Sequence, residues 1–372
     1  MKNLILTINS GSSSLKFKLF DQKLKKISSG IVEQIGGRSF CNFDKDKRYV
    51  KISSHEKALE KVFVFLKFKG IDLKDIKKIG HRYVHGGQKF YKPLLINKKN
   101  LKELQKLNDL APLHNPHNLA GIKACMKLLA SAKNYACFDT AFFHDLPEKV
   151  QTYPLPKKLS DKYNIRKYGF HGLSHQYVSL LSAKKLNKNV RQVNLITCHL
   201  GSGCSISAIK KGKPVDTSMG FTPLEGLMMA TRTGDFDPAI IFYLHKKGLL
   251  FKKIEKMLNF ESGLYGISGL KDMRAILTAS GYKVPGFKLK NKLSPSQKKL
   301  AKLALEMFVY RIKKYIGAYQ AVLGKIDAIA FTGGIGERSD VVRKLVMRGL
   351  PIKAKIIVVP TDEELMITRL IK

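Results

Sequence analysis

The sequence lacks the features that mark membrane and secreted proteins. No apolar run approaches the ~20 residues that a membrane-spanning helix requires. The amino terminus has neither a long apolar segment nor a small-residue cleavage site, so we expect no signal peptide and no membrane partner. The five cysteines are odd in number and none has Cys-x-x-Cys spacing. We therefore expect buried free thiols in a reducing cytoplasm.

Acidic residues are scarce: 28 Asp and Glu stand against 68 Lys and Arg, which gives a formal net charge of +40. Such a charge invites a nucleic-acid interpretation. However, the sequence has no aromatic RNP pattern, zinc finger or basic zipper, and its lysines are spread through amphipathic segments. We interpret them as a solvated surface with weak, non-specific polyanion binding and no specific nucleic-acid partner. A non-catalytic polyanion-binding protein remains the alternative.

What is present is typical of a globular protein, with 44% hydrophobic and 26% charged residues in a chain of 372. A chain of this length favours two domains. Its opening stretch, Leu4–Phe20, places a Ser/Gly turn between two apolar runs and predicts a β-hairpin. This turn could bind phosphate oxygens through its hydroxyl groups, the backbone N–H groups around Gly11 and the side chain of Lys16. An ordinary Ser-rich turn explains the pattern equally well.

The same design returns half a chain later. Residues Asn194–Ile209 again form an apolar run, a Gly/Ser turn and an alternating run, with the turn at His199–Gly203. Two such hairpins suggest a duplicated α/β fold in which one hairpin from each domain faces a shared cleft. This repeat favours the phosphate interpretation of the first turn.

Several other predicted elements end in polar residues. A buried strand runs from Ile76 into Arg82, and a second strand ends at Asp139, for which helix capping is the alternative role. Glycines flank His171, which is either an exposed site residue or a structural histidine. Arg232 lies in a short loop together with two aspartates. We interpret His81 and His85 as structural.

The predicted strand Ile326–Phe331 leads into Thr332–Glu337, a glycine-rich turn that we expect to open a helix at Ser339. Strand–glycine turn–helix junctions commonly admit nucleotides. The turn matches neither Walker A nor G-x-G-x-x-G. Helices are also predicted at His55–Phe68 and from about Lys298 to Leu323.

Together these segments resemble the acetate kinase family (acetate and propionate kinases), within the sugar-kinase/heat-shock/actin superfamily. The stretches that carry the resemblance include Asn-x-Gly-Ser-Ser-Ser-Leu-Lys, Gly-His-Arg-x-Val-His-Gly-Gly, Ala-Pro-Leu-His-Asn-Pro, Phe-Asp-Thr-Ala-Phe, Thr-Arg-x-Gly-Asp-x-Asp-Pro, Phe-Thr-Gly-Gly-Ile-Gly-Glu and Pro-Thr-x-Glu-Glu. The resemblance implies a duplicated ribonuclease H-like (actin-like ATPase) fold with two domains around a nucleotide cleft. It places the domains at residues 1–142 with 364–372 and at 143–363.

The implied activity is the reversible, Mg²⁺-dependent transfer of a phosphoryl group from ATP to acetate, which gives acetyl phosphate and ADP. Mn²⁺ is expected to substitute for Mg²⁺, and the implied assembly is a cytoplasmic homodimer. By resemblance, the catalytic residues are Asp139, His171 and Arg232, and the metal residues are Asn9 and Glu363. Asp139 is the family's acid/base candidate, whereas the chemistry favours an orienting role because acetate is already a carboxylate.

The remaining roles also come from the resemblance. The substrate would contact Arg82 and a small apolar cup of Val84, Leu113, Phe170 and Pro223. The nucleotide would contact Ser12, Ser14, Lys16, His199, Leu200, Gly201, Ser202, Gly203, Asp272, Met273, Arg274, Gly333, Gly334, Ile335, Gly336 and Glu337. Two departures leave nucleotide contacts open: Ser202 replaces the family's usual Asn, and Arg338 follows Gly-Ile-Gly-Glu where Asn is usual.

Overall fold

The structure is a computed structural model that describes residues 2–44, 46–289 and 291–372. The chain forms two compact units. The first comprises the residues up to His144 together with Gly172–Tyr177 and Asp362–Lys372. The second comprises Asp145–His171 and Val178–Thr361. The domain ranges and the cleft expected from the family resemblance stay predictions.

The described residues form strands and helices in runs of unequal length along the chain. The strands are β1 (Leu4–Ser10), β2 (Ser14–Phe20), β3 (Lys26–Glu33), β4 (Phe40–Phe43), β5 (Asp46–Tyr49), β6 (Ile76–Tyr83), β7 (Leu94–Leu95), β8 (Lys133–Phe138), β9 (Asn194–Leu200), β10 (Cys204–Lys210), β11 (Lys213–Thr217), β12 (Ala328–Thr332) and β13 (Lys355–Val358). The α-helices are α1 (His55–Phe68), α2 (Lys98–Lys106), α3 (Asn115–Leu128), α4 (Glu148–Gln151), α5 (Lys157–Tyr163), α6 (Gly172–Lys185), α7 (Ala239–Lys246), α8 (Phe251–Lys256), α9 (Gly263–Ser268), α10 (Met273–Ala279), α11 (Pro295–Leu323), α12 (Gly333–Arg338), α13 (Asp340–Met347) and α14 (Glu363–Ile371). A π-helical turn, Met257–Glu261, separates α8 from α9.

The first unit is built on a mixed sheet with the strand order β5-β4-β3-β2-β1-β6-β8-β7. Strand β1 pairs antiparallel with β2 and parallel with β6, which in turn pairs parallel with β8. The central strand β1 is apolar along most of its length and is buried, as expected for a strand covered on both faces. Helix α14 packs so closely on β6 that a Cβ at Gly80 would lie 2.4 Å from Ile367.

The sheet of the second unit, in the order β11-β10-β9-β12-β13, repeats the central part of the first. Its β9 pairs antiparallel with β10 and parallel with β12, and β12 pairs parallel with β13. The series β11-β10-β9-β12-β13 therefore has the same strand directions as β3-β2-β1-β6-β8 in the first unit. The duplicated α/β topology predicted from the two hairpins is confirmed.

The predicted elements agree with the observed ones except at some boundaries. Helix α1 has the predicted bounds, and Ser54 caps it by accepting from the Lys57 backbone N–H. Helix α11 begins earlier than predicted because Ser294 and Gln297 form a capping box. The glycine-rich segment expected to be a turn is itself the short helix α12, and the helix expected at Ser339 begins at Asp340 with Ser339 as its cap.

Two expectations about composition can be examined in the described part of the chain. All five cysteines are buried and none is in a disulfide, as predicted. No helix of the described residues has both the length and the apolar character that crossing a bilayer would require.

Candidate active site

In the first unit, the ends of three parallel strands bring polar residues together. Asn9 follows Ile8, which is paired with His81, so Asn9 and Arg82 lie at neighbouring strand ends. Strand β8 continues this edge, because the Asp139 backbone N–H donates to the Tyr83 carbonyl at 3.0 Å. The carboxyl ends of parallel strands are where α/β sheets commonly bind ligands. Asn9, Arg82 and Asp139 thus lie at the same edge of the sheet.

Arg82 forms the central ion pair of this edge. Its Nε donates to both Asp139 oxygens at 3.1 Å, and its Nη2 donates to Oδ2. A second carboxylate, Glu363, lies 3.9 Å from Nη1. The Asp139 side chain therefore contacts Arg82, and the alternative role of helix capping is not what the structure shows.

Burial and charge act in opposite directions on the protonation of this pair. Burial raises the pKa of Asp139 more than the charge of Arg82 and its hydrogen bonds lower it, so this pKa stays above its ordinary value. Burial lowers the pKa of Arg82, but the carboxylates of Asp139 and Glu363 more than offset this and leave that pKa raised. The bidentate geometry is that of a guanidinium facing an ionised carboxylate.

The first hairpin turn is held by residues to which sequence analysis gave no role at this turn. The Gly11 N–H donates to the Ser14 carbonyl at 2.8 Å, and His55 Nε2 donates to the Gly11 carbonyl at 2.6 Å. Asn118 Nδ2 donates to the Ser10 carbonyl at 2.6 Å, and its Oδ1 accepts from Val84 N–H at 3.1 Å. The sequence signals nearest to these residues were the predicted helix start at His55 and the Ala-Pro-Leu-His-Asn-Pro motif, which ends two residues before Asn118. Of the predicted phosphate ligands in this turn, Ser12 and Lys16 are exposed and Ser14 is half-buried.

The second unit places His171 beside the second hairpin turn. The His171 ring stacks on His199 with centroids 4.3 Å apart, and its Nδ1 lies 2.9 Å from Ser205 Oγ. His171 adopts a left-handed conformation, φ 56°, which is uncommon for a residue with a side chain. A Cβ at Gly203 would lie only 3.3 Å from His171, so glycine is what allows this approach.

Arg232 also lies close to this turn. A Cβ at Gly203 would lie 3.7 Å from its Nη1. That nitrogen donates to the Pro223 carbonyl at 3.3 Å, and burial lowers the pKa of Arg232. Among the residues that the structure describes, no carboxylate pairs with Arg232. The second unit therefore holds a half-buried cation for which the described residues provide no carboxylate partner.

The glycine-rich segment of the second unit adjoins this turn because Thr332 pairs with His199. Gly333, at φ 75°, lies so close to Leu200 that a Cβ would be 2.7 Å from the Leu200 carbonyl oxygen. One oxygen of Glu337 accepts from the backbone N–H groups of Gly333 and Thr361, each at 3.0 Å. Glu337 thus fixes the glycine segment.

The remaining predicted residues fall into two sets. Asp272 and Arg274, at the start of α10, pair with each other, and Asp272 Oδ1 also accepts from Arg274 N–H at 2.9 Å; the intervening Met273 is buried. Of the predicted acyl cup, Val84 and Phe170 are buried, Pro223 is half-buried and Leu113 is 42% exposed. Whether the four cup residues meet stays a prediction.

Comparisons with known proteins find relatives that align with nearly the whole chain. The model of the acetokinase family matches residues 4–353. An acetate kinase from Campylobacter jejuni subsp. jejuni serotype O:2 is 45% identical over 401 aligned positions, covering 98% of each chain. The crystal structure of an acetate kinase from Porphyromonas gingivalis has a TM-score of 0.87, 37% identity and full coverage of both chains. A propionate kinase from Francisella tularensis has a TM-score of 0.90 and 38% identity, covering 99% of this chain and 98% of its own.

Each of these similarities extends over nearly the whole chain, and the family match ends just before β13. They agree with the resemblance carried by the sequence motifs. The chain therefore belongs to the acetokinase family, and its reaction is phosphoryl transfer between ATP and acetate.

Proposed function

We propose that Arg232 and His171 stabilise the phosphoryl group as it passes between ATP and acetate, and that Arg82 binds the acyl carboxylate or acyl phosphate. The observation that carries this proposal is the half-buried Arg232 guanidinium, which has no carboxylate partner among the described residues. A cation that is partly removed from water costs free energy unless an anion compensates its charge. A transferring phosphoryl group supplies that anion.

The proposed chemistry is a direct in-line transfer. A carboxylate oxygen of acetate forms a bond to the γ-phosphorus while the bond to the bridging oxygen breaks, and ADP leaves with the electron pair. No proton needs to move, because acetate is ionised at neutral pH. Catalysis then depends on positioning and charge neutralisation, to which an arginine can contribute about 10³–10⁵ in rate. Asp139 acts in this scheme by orienting Arg82; the family's acid/base role for it is the alternative.

The donor set of the first unit fits Mg²⁺. Asn9 at a strand end and the carboxylates of Asp139 and Glu363 offer oxygen ligands, and Mg²⁺ is typically held by one or two carboxylates together with substrate phosphates. The described residues contain no cluster of three His, Cys, Asp or Glu that would hold a metal without substrate. We propose that Asn9 and Glu363 hold Mg²⁺, with Mn²⁺ able to substitute. The ion, when bound, neutralises and aligns phosphate oxygens.

The nucleotide contacts follow the two hairpin turns and the glycine segment. We propose that Ser12, Ser14 and Lys16 lie near the phosphates, and that residues 199–203, 272–274 and 333–337 bind the rest of ATP. Exposed glycine backbone at Gly334 supports this, since a Cβ there would meet no neighbouring atom within 4 Å. Ser202 and Arg338 leave the preference among nucleotides open.

We also propose a cytoplasmic homodimer. The second unit carries large exposed side chains on α7 and α8, of which Phe242 is 61%, Tyr243 60% and Phe251 54% exposed. Large exposed apolar side chains on successive helices support an interaction surface here, and a second copy of the chain is the partner that the family implies. Light scattering would show a dimer mass that a Phe242→Glu variant reduces to the monomer mass; a wild-type monomer would contradict the dimer.

A hydroxamate assay tests the proposed function. The wild type, ATP and Mg²⁺ are combined with acetate, propionate or butyrate, and Arg232→Ala and Arg232→Lys are assayed in parallel. We expect acyl phosphate with acetate and a loss of turnover in Arg232→Ala by orders of magnitude, with an unchanged unfolding temperature. Near-normal turnover of Arg232→Ala would show that Arg232 does not stabilise the transferring phosphoryl group. Faster turnover with propionate or butyrate would indicate a kinase for another short acid, and no product with any acid would favour a polyanion-binding protein.

A further inference from the structure

The side chain of Arg232 has few contacts that could determine its position. Its Nη1 donates to the Pro223 carbonyl at 3.3 Å and lies 3.6 Å from the Met229 sulfur, a weak acceptor. No ion pair with a carboxylate adds to these among the described residues. The position of the guanidinium therefore depends mainly on how the backbone of residues 229–233 is held.

That backbone is held by the π-helical turn Met257–Glu261. Thr231 Oγ1 donates to the Asn259 carbonyl at 2.9 Å, and the Thr233 N–H donates to the Leu258 carbonyl at 3.2 Å. The two residues that flank Arg232 are thus both bound to the turn. Single π-helical turns are rare and frequently occur at functional sites. Here carbonyl groups of the π-helical turn accept hydrogen bonds from the loop that carries Arg232, residues 229–233.

The residues just after the turn hold the other side of the loop. The Ser262 N–H donates to the Thr231 carbonyl at 3.0 Å, and Leu264 N–H donates to the Met229 carbonyl at 2.9 Å. Between them, Gly263 has φ 62°, and a Cβ there would lie 2.2 Å from the Met229 carbonyl oxygen and 2.6 Å from that of Arg232. The backbone of Arg232 can approach this closely only because residue 263 has no side chain.

The same loop is connected to the second hairpin turn. The Ala230 N–H donates to the Ser202 carbonyl at 3.1 Å, and the Ala230 carbonyl accepts from Tyr265 N–H at 2.9 Å. One residue thus links the hairpin turn to the segment that follows the π-helical turn. The loop of Arg232 and the second hairpin turn are thus connected to the same segment, which follows the π-helical turn.

We propose that the π-helical turn Met257–Glu261 and Gly263 position Arg232 for phosphoryl transfer, with Gly263 as the residue that permits the close packing. This inference rests on the role of Arg232 under the proposed function. The residues that hold the backbone of residues 229–233 need not touch substrate. Thr231 and Gly263 are therefore positioning residues. A displacement of about 1 Å in a reacting group can cost 10²-fold in rate.

The principal experiment compares Gly263→Ala with Gly269→Ala. Gly269 ends the same helix α9 at φ 71°, but a Cβ there would meet nothing within 4 Å. The two substitutions therefore share the backbone strain and differ in the collision with Arg232. We expect Gly263→Ala to lower kcat about 100-fold, with KM for ATP and acetate nearly unchanged, as for a group that acts mainly in the transition state. We expect Gly269→Ala to retain kcat within about threefold, and thermal unfolding would confirm that both variants fold.

A second pair of variants, with smaller structural changes, tests the inference even if Gly263→Ala does not fold. Thr231→Val removes the hydroxyl that donates to Asn259 and keeps the branched shape, whereas Thr231→Ser keeps the hydroxyl. We expect kcat to fall about 3- to 10-fold in Thr231→Val, the scale of one hydrogen bond, and to stay near the wild-type value in Thr231→Ser.

A double variant distinguishes positioning of Arg232 from any other effect of Gly263. If Gly263 acts through Arg232, Gly263→Ala combined with Arg232→Ala loses no more turnover than Arg232→Ala alone. Multiplied losses, or a Gly263→Ala variant as active as Gly269→Ala, would overturn the inference. Near-normal turnover of Arg232→Ala would instead show that Arg232 does not have the proposed function. The positioning inference would then fail because it rests on that function.

Discussion

Arg82 and Asp139 are 57 residues apart in the chain, yet Arg82 Nε donates to both carboxylate oxygens at 3.1 Å. Arg232 offers a contrast, because no carboxylate among the described residues neutralises it. One arginine is thus held in place by an internal counter-charge, and the other is held by its backbone. The two arginines should respond differently to mutation, in stability as well as in rate.

Replacing Arg82 is expected to affect both stability and turnover. Arg82→Ala leaves the buried Asp139 carboxylate unpaired, and loss of one partner of a buried pair typically costs about 3–5 kcal/mol. Turnover should fall by about 10³-fold or more. Chemical denaturation and the hydroxamate assay measure the two effects. The double variant Arg82→Ala/Asp139→Asn should recover part of the stability and none of the activity; normal turnover in either variant would contradict the role of Arg82.

His81 is expected to make stability depend on pH. It is buried, its Nε2 lies 2.8 Å from Asn134 Oδ1, and burial lowers its pKa to about 4 from the ordinary 6.5. Because the unfolded chain takes up the proton more readily, the neutral ring stabilises the fold fully above pH 6.5. That contribution, on the order of 3 kcal/mol, is lost as the pH falls towards 4.

A His81→Gln variant tests this dependence, since glutamine can donate to Asn134 without titrating. Its free energy of unfolding, measured by denaturant titration from pH 7.5 to 4.5, should decline less steeply than that of the wild type. The decline should not vanish, because burial also lowers the pKa of His85 to about 4. A His245→Gln variant at an exposed position is the control. Equal slopes for wild type and His81→Gln would show that His81 does not titrate in this way.

Glu337 should affect nucleotide binding through the glycine segment. Glu337→Ala deprives the N–H groups of Gly333 and Thr361 of their acceptor, and each unsatisfied buried group costs about 1–3 kcal/mol. If the loosened segment loses about 1.4 kcal/mol of binding, KM for ATP rises about tenfold. Glu337→Gln retains an acceptor oxygen and should stay close to wild type. An unchanged KM for ATP in Glu337→Ala would show that the glycine segment does not contribute to nucleotide binding.

Val84 should influence the choice between acetate and propionate if it lines the acyl cup. One methylene is worth about 1–3 kcal/mol in such discrimination, so the wild type should prefer acetate. Val84→Ala should raise kcat/KM for propionate relative to acetate by about tenfold. Val62→Ala, a buried valine of α1, is the matched control and should leave the ratio unchanged. A ratio unaffected by Val84→Ala would exclude Val84 from the cup.

Much of the fold could be predicted because it depends on local patterns. Apolar runs interrupted by Gly/Ser turns predicted the hairpins β1–β2 and β9–β10, and periodic apolar residues predicted α1. The start of α11 was misjudged because Ser294 and Gln297 cap it before its apolar pattern begins. The glycine segment was expected to be a turn because its residues disfavour helix. It is nevertheless helical, and Glu337 supports it through contacts with the backbone.

Sequence alone determined the two-hairpin design, the polar strand ends and, through its motifs, the family and its reaction. The tertiary structure decided which charges are neutralised, since Arg82 meets Asp139 only when β6 and β8 pair in register. It also decided what holds the sites, because His55, Asn118 and the π-helical turn act through backbone groups of distant segments. Backbone hydrogen bonds carry no residue-type signal, and register across a sheet is a property of the folded chain, so neither could be predicted from one sequence.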